Sequence, residues 1–250
     1  MSFYPFLSIS IFFSAYTESD FFGKWIFIGL YALSILCWTI GLYKFWVMRK
    51  TQKISRQFQD RVLRNKQSIL NLGVEDLPKL ENKEIPHPFL AVFLSMKEKT
   101  LEILNKNNFF ASKGDENSSR AYLSKTDFEF LETQVLVTIS EEYKKLDSYL
   151  FVLSTIVTLA PFLGLLGTVW GILVTFMELQ KGQNAGSNSI ILGGLSTALA
   201  TTVLGLLIAI PALIAFNYLK NASRLLLSQL EDFFYQLVSA IEIQYRRIDE

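Results

Sequence analysis

An all-α membrane protein, with three transmembrane helices and a cytoplasmic helical bundle, is the fold class that the sequence predicts. Three apolar runs, 25–48, 149–177 and 187–219, are each long enough to cross a bilayer, which takes about 20 apolar residues at helical rise. The polar stretches 49–148 and 220–250 repeat apolar residues at helical spacing. A basic run, from Arg49 to Lys66, follows the first apolar run and marks the side on which the polar stretch lies.

Composition narrows the function classes. Half of the 250 residues are hydrophobic and the formal net charge is +1, so nothing favours a nucleic-acid partner. The one cysteine, Cys37, lies in the first apolar run and excludes a disulfide within the chain. The one histidine, His87, stands in Pro86-His87-Pro88, far from Cys37. Neither a metal site nor a nucleophile paired with a base can be assembled from them, so no enzyme and no cofactor is expected.

Residues 1–16, the apolar and aromatic part of the segment 1–24, are too short to span at helical rise, and they lack the basic start of a secretory signal. An interfacial segment on the outer side is expected, with cleavage near Ser14-Ala15-Tyr16 as the alternative. Residues 25–48 form the first spanning helix, with Trp25, Trp38, Tyr43 and Trp46 among its aromatic residues and Lys44 near its inner end. The basic residues that follow place 49–148 in the cytoplasm and the N-terminus outside.

Within 49–148, Ile54, Phe58, Val62, Ile69 and Leu70 outline one amphipathic helix. Phe89, Val92, Phe93, Met96, Leu101 and Leu104 outline a second. Residues 72–88 read as a turn-rich connector and 105–119, rich in Asn, Lys, Ser and Gly, as a loop. A third helix is expected over 127–147, running without a break into the second spanning helix.

Residues 149–177 and 187–219 contain no charged side chain. In the first of them Gly167 and Gly171 form a GxxxG pair that Thr175 extends, with Ala160, Gly164 and Thr168 on nearly the same side. In the second, Gly194, Ala198 and Thr202 fall at i, i+4 and i+8, and Gly205 and Ala209 continue that side. Such stripes let helix backbones approach closely, which is how helices associate in lipid. The two helices read as partners, and the glycines as packing positions inside an oligomer. Pro161 and Pro211 are expected to kink them. Residues 178–186 form an outer loop, and 220–250 a cytoplasmic helix continuing the third span.

The segment from Ala160 to Ile172 (APFLGLLGTVWGI), followed by Ala198 to Leu206 (ALATTVLGL) and by Ala209-Ile210-Pro211-Ala212 with Asn217, resembles the signature of the TolQ/ExbB/MotA family of proton-channel motor subunits. The likeness covers about residues 127–225, and the short N-terminal segment is more similar to TolQ. It implies a homopentameric ring in a bacterial inner membrane, with the second and third spans lining a channel. Inside would stand single-span TolR/ExbD-like helices, each carrying an aspartate that takes up and releases protons, and a TolA/TonB-like protein would take up the motion. Thr202 aligns with the family's channel-facing threonine. Leu159 stands where TolQ and ExbB place a threonine, and Thr197 where many members have a glutamate.

The residues alone lead to a compatible place. No Asp, Glu, Lys or His lies deep in any span, where an ionisable group costs at least ~2.5–3.5 kcal/mol. A proton-carrying acid would therefore come from a partner. The hydroxyls of Thr158, Thr168, Thr201 and Thr202 are the candidates for a channel lining, or else for hydrogen bonds between or within helices. The alternative function is a passive oligomeric scaffold. A secondary transporter is disfavoured by three spans without an inverted repeat.

Overall fold

A computed structural model describes residues 5–64, 86–114, 123–180 and 187–245. Six helices occupy nearly all of them: α1 Pro5–Glu18, α2 Phe21–Arg64, α3 Pro88–Gly114, α4 Lys125–Asp147, α5 Leu150–Gln180 and α6 Ser187–Tyr245. Three of these, α2, α5 and α6, are long and apolar enough to cross a membrane. The chain divides into two compact units, one of Met1–Lys44 with Tyr149–Leu219, the other of Phe45–Ser148 with Lys220–Glu250.

In the first unit, α1 joins the apolar parts of α2, α5 and α6. Its core contains Ala15 of α1, Ile26, Phe27, Leu30 and Cys37 of α2, Ile156 and Ala160 of α5, and Ala200, Leu204, Ile208, Ala209 and Ala212 of α6. The edge of Tyr16 meets the ring of Phe27 at 6.1 Å between centroids. The chain turns from α1 into α2 through Asp20, whose carboxylate accepts the Gly23 N–H at 3.0 Å and so caps α2.

The second unit is built from the polar half of α2, all of α3 and α4, and α6 from Lys220 onward. Phe58 is its hub: the ring meets Phe93 of α3 edge-on at 5.9 Å and Phe233 of α6 at 6.1 Å. Leu131, Val135 and Ile139 bring the apolar face of α4 into burial, and Leu226, Leu230, Phe234, Leu237 and Ile241 that of α6. Two polar contacts join α3 to α4, Ser95 with Thr138 at 2.9 Å and the Asn107 amide donating to Asp127 at 3.0 Å.

Helix ends follow their capping chemistry. Ser124 and Asp127 form a capping box at the start of α4. Burial raises the Asp127 carboxyl, but the Ser124 and Asn107 donors outweigh it and hold the group below the usual carboxylate range. His87 caps α3 through Nδ1, which accepts the Leu90 N–H at 3.1 Å, and Pro88 follows at the first helical position. Burial pushes the His87 imidazole below its ordinary value, against the smaller upward pulls of its own backbone contact and of Glu142.

Three sequence expectations are corrected. The first spanning helix and the amphipathic helix after it are one helix, α2, because nothing between Met48 and Ile54 breaks the ladder. The loop expected from Asn105 is helical as far as Gly114, since Ile103 and Leu104 are buried and Asn107 is fixed to Asp127. The uninterrupted run from 127 into the second span is broken. Ser148 is extended, with ψ 145°, and Tyr149 is left-handed, with φ 66°. Ser148 Oγ donates to the Lys145 carbonyl at 2.7 Å, and the Tyr149 carbonyl accepts the Val152 N–H that opens α5. The Lys44 ammonium lies 5.5 Å from the centre of the Tyr149 ring. Of the expected connector 72–88, the part before Pro86 lies outside the described residues, as do 115–119 and 181–186.

Candidate functional site: the α5–α6 seam

The small-residue stripes of α5 and α6 meet each other. In reverse order along the two helices, Ala160 faces Gly205, Gly164 faces Thr201, Thr202 and Gly205, Gly167 faces Thr201, Gly171 faces Ala198, and Thr175 faces Gly194. The helices are therefore antiparallel and in close contact over about four turns. A methyl group added at Gly205 would stand 2.6 Å from the Ala160 carbonyl oxygen, and one at Gly164 would stand 2.9 Å from that of Thr201. These obstacles are backbone atoms, so no rotamer change relieves them. At Gly171 the obstacle is the Ala198 methyl, at 2.8 Å.

This arrangement relocates one expectation. The glycine stripes, read as packing positions inside an oligomer, are occupied within the chain. The spacing specifies close approach, and the antiparallel hairpin brings two such stripes of one chain together first. Bulky residues take the outward faces: Phe162, Leu165 and Val169 on α5, and Leu199, Val203 and Leu207 on α6, are exposed.

The four candidate threonines divide into two pairs. Thr201 and Thr202 lie on the seam, and both reach the same acceptor. Thr202 Oγ1 donates to the Gly164 carbonyl at 2.9 Å, while Thr201 Oγ1 lies 2.6 Å from the Ala198 carbonyl and 3.2 Å from that of Gly164. With one proton each, Thr201 serves chiefly its own helix and Thr202 bridges to α5. Thr201 is buried and Thr202 half-buried, and the Thr202 oxygen, donating its one proton, keeps its lone pairs as acceptors.

Thr158 stands off the seam, and the Thr168 hydroxyl bonds within its own helix. The Thr158 hydroxyl donates within its own helix, 3.0 Å from the Thr155 carbonyl and 3.3 Å from that of Ser154. Two residues before Ala160, it sits about 200° around α5 from the seam. Thr168 donates to the Leu165 carbonyl at 2.7 Å. Pro161 and Pro211 lie inside α5 and α6, and both helices continue through them.

Sequence reasoning missed the polar fixture near one end of the seam. Trp170 Nε1 donates to Asp20 Oδ2 at 2.8 Å, and the Trp170 ring packs on Phe22 with 4.5 Å between centroids. Asp20 thus caps α2 with one oxygen and holds α5 with the other. A cavity of about 380 Å³ lies beside it, lined by residues that include Glu18, Glu178, Thr175 and Thr197. The only sequence signal was Asp20 itself, a capping residue immediately before an apolar run.

With a neutral, hydroxyl-bearing seam between two uncharged spans established, the comparisons decide the family. The family model described as the MotA/TolQ/ExbB proton channel family matches residues 103–232, more than half of the chain. The chain belongs to this family. The biopolymer transport protein ExbB of Xanthomonas campestris pv. campestris is 33% identical over 109 residues, 44% of this chain and 43% of that protein. The Tol-Pal system protein TolQ of Pseudomonas aeruginosa is 39% identical over 97 residues, 39% of this chain and 42% of that protein. The ExbB of Pseudomonas putida is 27% identical over 202 residues, 81% of this chain and 54% of that protein. The chain spans about half the length of the curated relatives it matches. The seam lies wholly inside the part matched by the MotA/TolQ/ExbB model.

Proposed function

We infer that the chain is the ring-forming motor subunit of a proton-driven complex in a bacterial inner membrane. Five copies surround single-span TolR/ExbD-like helices, α5 and α6 line the channel, the N-terminus is periplasmic, and the second unit together with the C-terminus is cytoplasmic. The observation that carries this reading is the α5–α6 seam: no charged residue in 149–177 or 187–219, two threonine hydroxyls on one carbonyl, and membership in a proton channel family.

The mechanism follows from what the seam lacks. Without a titratable group of its own, it supplies hydrogen-bonding oxygens, and the partner's aspartate supplies the acid. A proton driven inward yields ~2.3 kcal/mol per charge for each 100 mV. Protonation neutralises the aspartate and weakens its hold on the Thr202 side, and deprotonation restores it. Repeated cycles turn the partner within the ring, and a TolA/TonB-like protein carries the motion to the envelope. A passive scaffold would use the small-residue stripes between copies, whereas here they are consumed inside the chain.

Proton flux in vesicles holding both chains tests this. Flux should require the partner's aspartate and fall to background when it is replaced by asparagine. Equal flux from the ring alone would overturn the assignment.

A further inference from the structure

We propose that the start of the second unit on α2, around Arg49, Lys53 and Arg56, is a binding face for anionic phospholipid headgroups. Arg49, Lys53 and Arg56 are exposed and follow one another at spacings of four and three residues, so they form one cationic strip about 10 Å long. Directly before it, Phe45 and Trp46 supply aromatic rings, and Trp46 is 54% exposed. Aromatic residues of this kind settle at headgroup depth, and cations just beyond them meet the phosphate layer.

Two of the cations on this turn are already held against the rings. The Arg49 guanidinium lies 4.2 Å from the centre of the Phe45 ring, and the Lys50 ammonium 4.9 Å from that of Trp46. The rings hold these side chains along the helix without neutralising their charge, leaving the charge free for an external anion. Among the described residues, no ion pair engages Arg49, Lys53 or Arg56. The first carboxylate on this face is Asp60, one turn past Arg56. A strip of three cations without an ion pair among the described residues, next to an apolar, aromatic helix face, is complementary to a lipid that pairs acyl chains with a negative headgroup. The inference does not depend on proton conduction.

Each basic residue at an anionic surface strengthens binding about fivefold, so three give about a hundredfold. The test is native mass spectrometry of the purified full chain, titrated with phosphatidylglycerol or phosphatidylcholine of matched acyl chains. Wild type should prefer phosphatidylglycerol. The triple variant Arg49→Gln, Lys53→Gln, Arg56→Gln should lose that preference about tenfold or more. Arg49→Lys with Arg56→Lys should keep it, and so should the control Lys106→Gln, Lys125→Gln, Lys144→Gln, which removes as many exposed cations elsewhere. Three results would overturn the proposal: an undiminished preference in the first variant, an equal loss in the control, or displacement of the lipid by millimolar inorganic phosphate. If the strip instead lies between copies of the chain, the first variant changes the oligomeric mass while its lipid preference stays at the wild-type value, which also counts against it.

Discussion

The Thr202 hydroxyl donates to the Gly164 carbonyl oxygen across the seam, at 2.9 Å. The residue that the family likeness singles out is therefore engaged in the α5–α6 contact and still offers oxygen lone pairs. Its two roles separate on substitution. Thr202→Val should lose about 0.6 kcal/mol of helix association, the mean for such bonds in membranes, and leave assembly intact while proton flux stops. Thr202→Ser should retain both. Flux measurements beside the oligomeric mass distinguish the roles, and normal flux in the valine variant would remove Thr202 from the mechanism.

Close backbone approach makes a second prediction. Gly164→Ala and Gly205→Ala should each destabilise the first unit by about 1–3 kcal/mol, the usual cost of overpacking, because the added methyl meets a carbonyl oxygen. Gly41→Ala should be tolerated, since nothing lies within 4 Å of the added carbon. Thermal unfolding in one detergent compares the three. Equal melting of the Gly41 and Gly205 variants would mean that the seam is looser than described.

Asp20 holds two elements at once, and removing it should cost more than a cap. Asp20→Ala should destabilise by about 1–2 kcal/mol as a lost N-cap, and further through the stranded Trp170 indole N–H. Asp20→Asn, which keeps the length but replaces one of the two acceptor oxygens by an NH2 donor, should recover only part of the loss. A cycle with Trp170→Phe measures the coupling; purely additive effects would show that the indole contact contributes nothing.

His87 predicts a pH dependence. Its Nδ1 must be unprotonated to accept the Leu90 N–H, and burial depresses its protonation in the folded chain. The unfolded chain, with an ordinary value of 6.5, takes up the proton first as pH falls. The stabilisation is therefore complete above about pH 6.5 and is lost as pH falls from there through the depressed folded value. His87→Asn keeps a capping oxygen and does not titrate, so its melting temperature should change less between pH 7.5 and 5.5 than that of wild type. Parallel curves would count against a titrating cap.

The left-handed backbone at Tyr149 favours residues that tolerate positive φ. Tyr149→Asn should fold with little change, whereas Tyr149→Val should lose about 1–2 kcal/mol. Calorimetry on the two variants checks the order.

What the sequence disclosed and what it concealed have separate physical causes. The stripes through Gly164, Gly167 and Gly171 and through Gly194, Ala198 and Gly205 were readable because close approach in lipid restricts residue size so severely. Spacing reveals that a backbone comes near, yet it does not reveal whether that backbone belongs to the same chain. The break before α5 left no trace because neither Ser148 nor Tyr149 is a glycine or proline, and the strain at Tyr149 is set by the surrounding fold. The stretch after Asn105 looked like a loop by composition, whereas the buried pair Ile103 and Leu104 and the Asn107–Asp127 bond keep it helical. Among the threonines, residue type gave four candidates, and only the hydrogen-bond partners separated Thr201 and Thr202, which reach across to α5, from Thr158 and Thr168, which bond within it.

The absence of charged side chains in 149–177 and 187–219 also bears on how such a complex is made. A subunit whose paired spans carry no carboxylate, amine, guanidinium or imidazole of their own offers no ready side-chain relay for protons. Under the proposed motor function, such a subunit would be synthesised and inserted ahead of its partner without discharging the gradient, and leakage would become a hazard only once the partner's acid arrived.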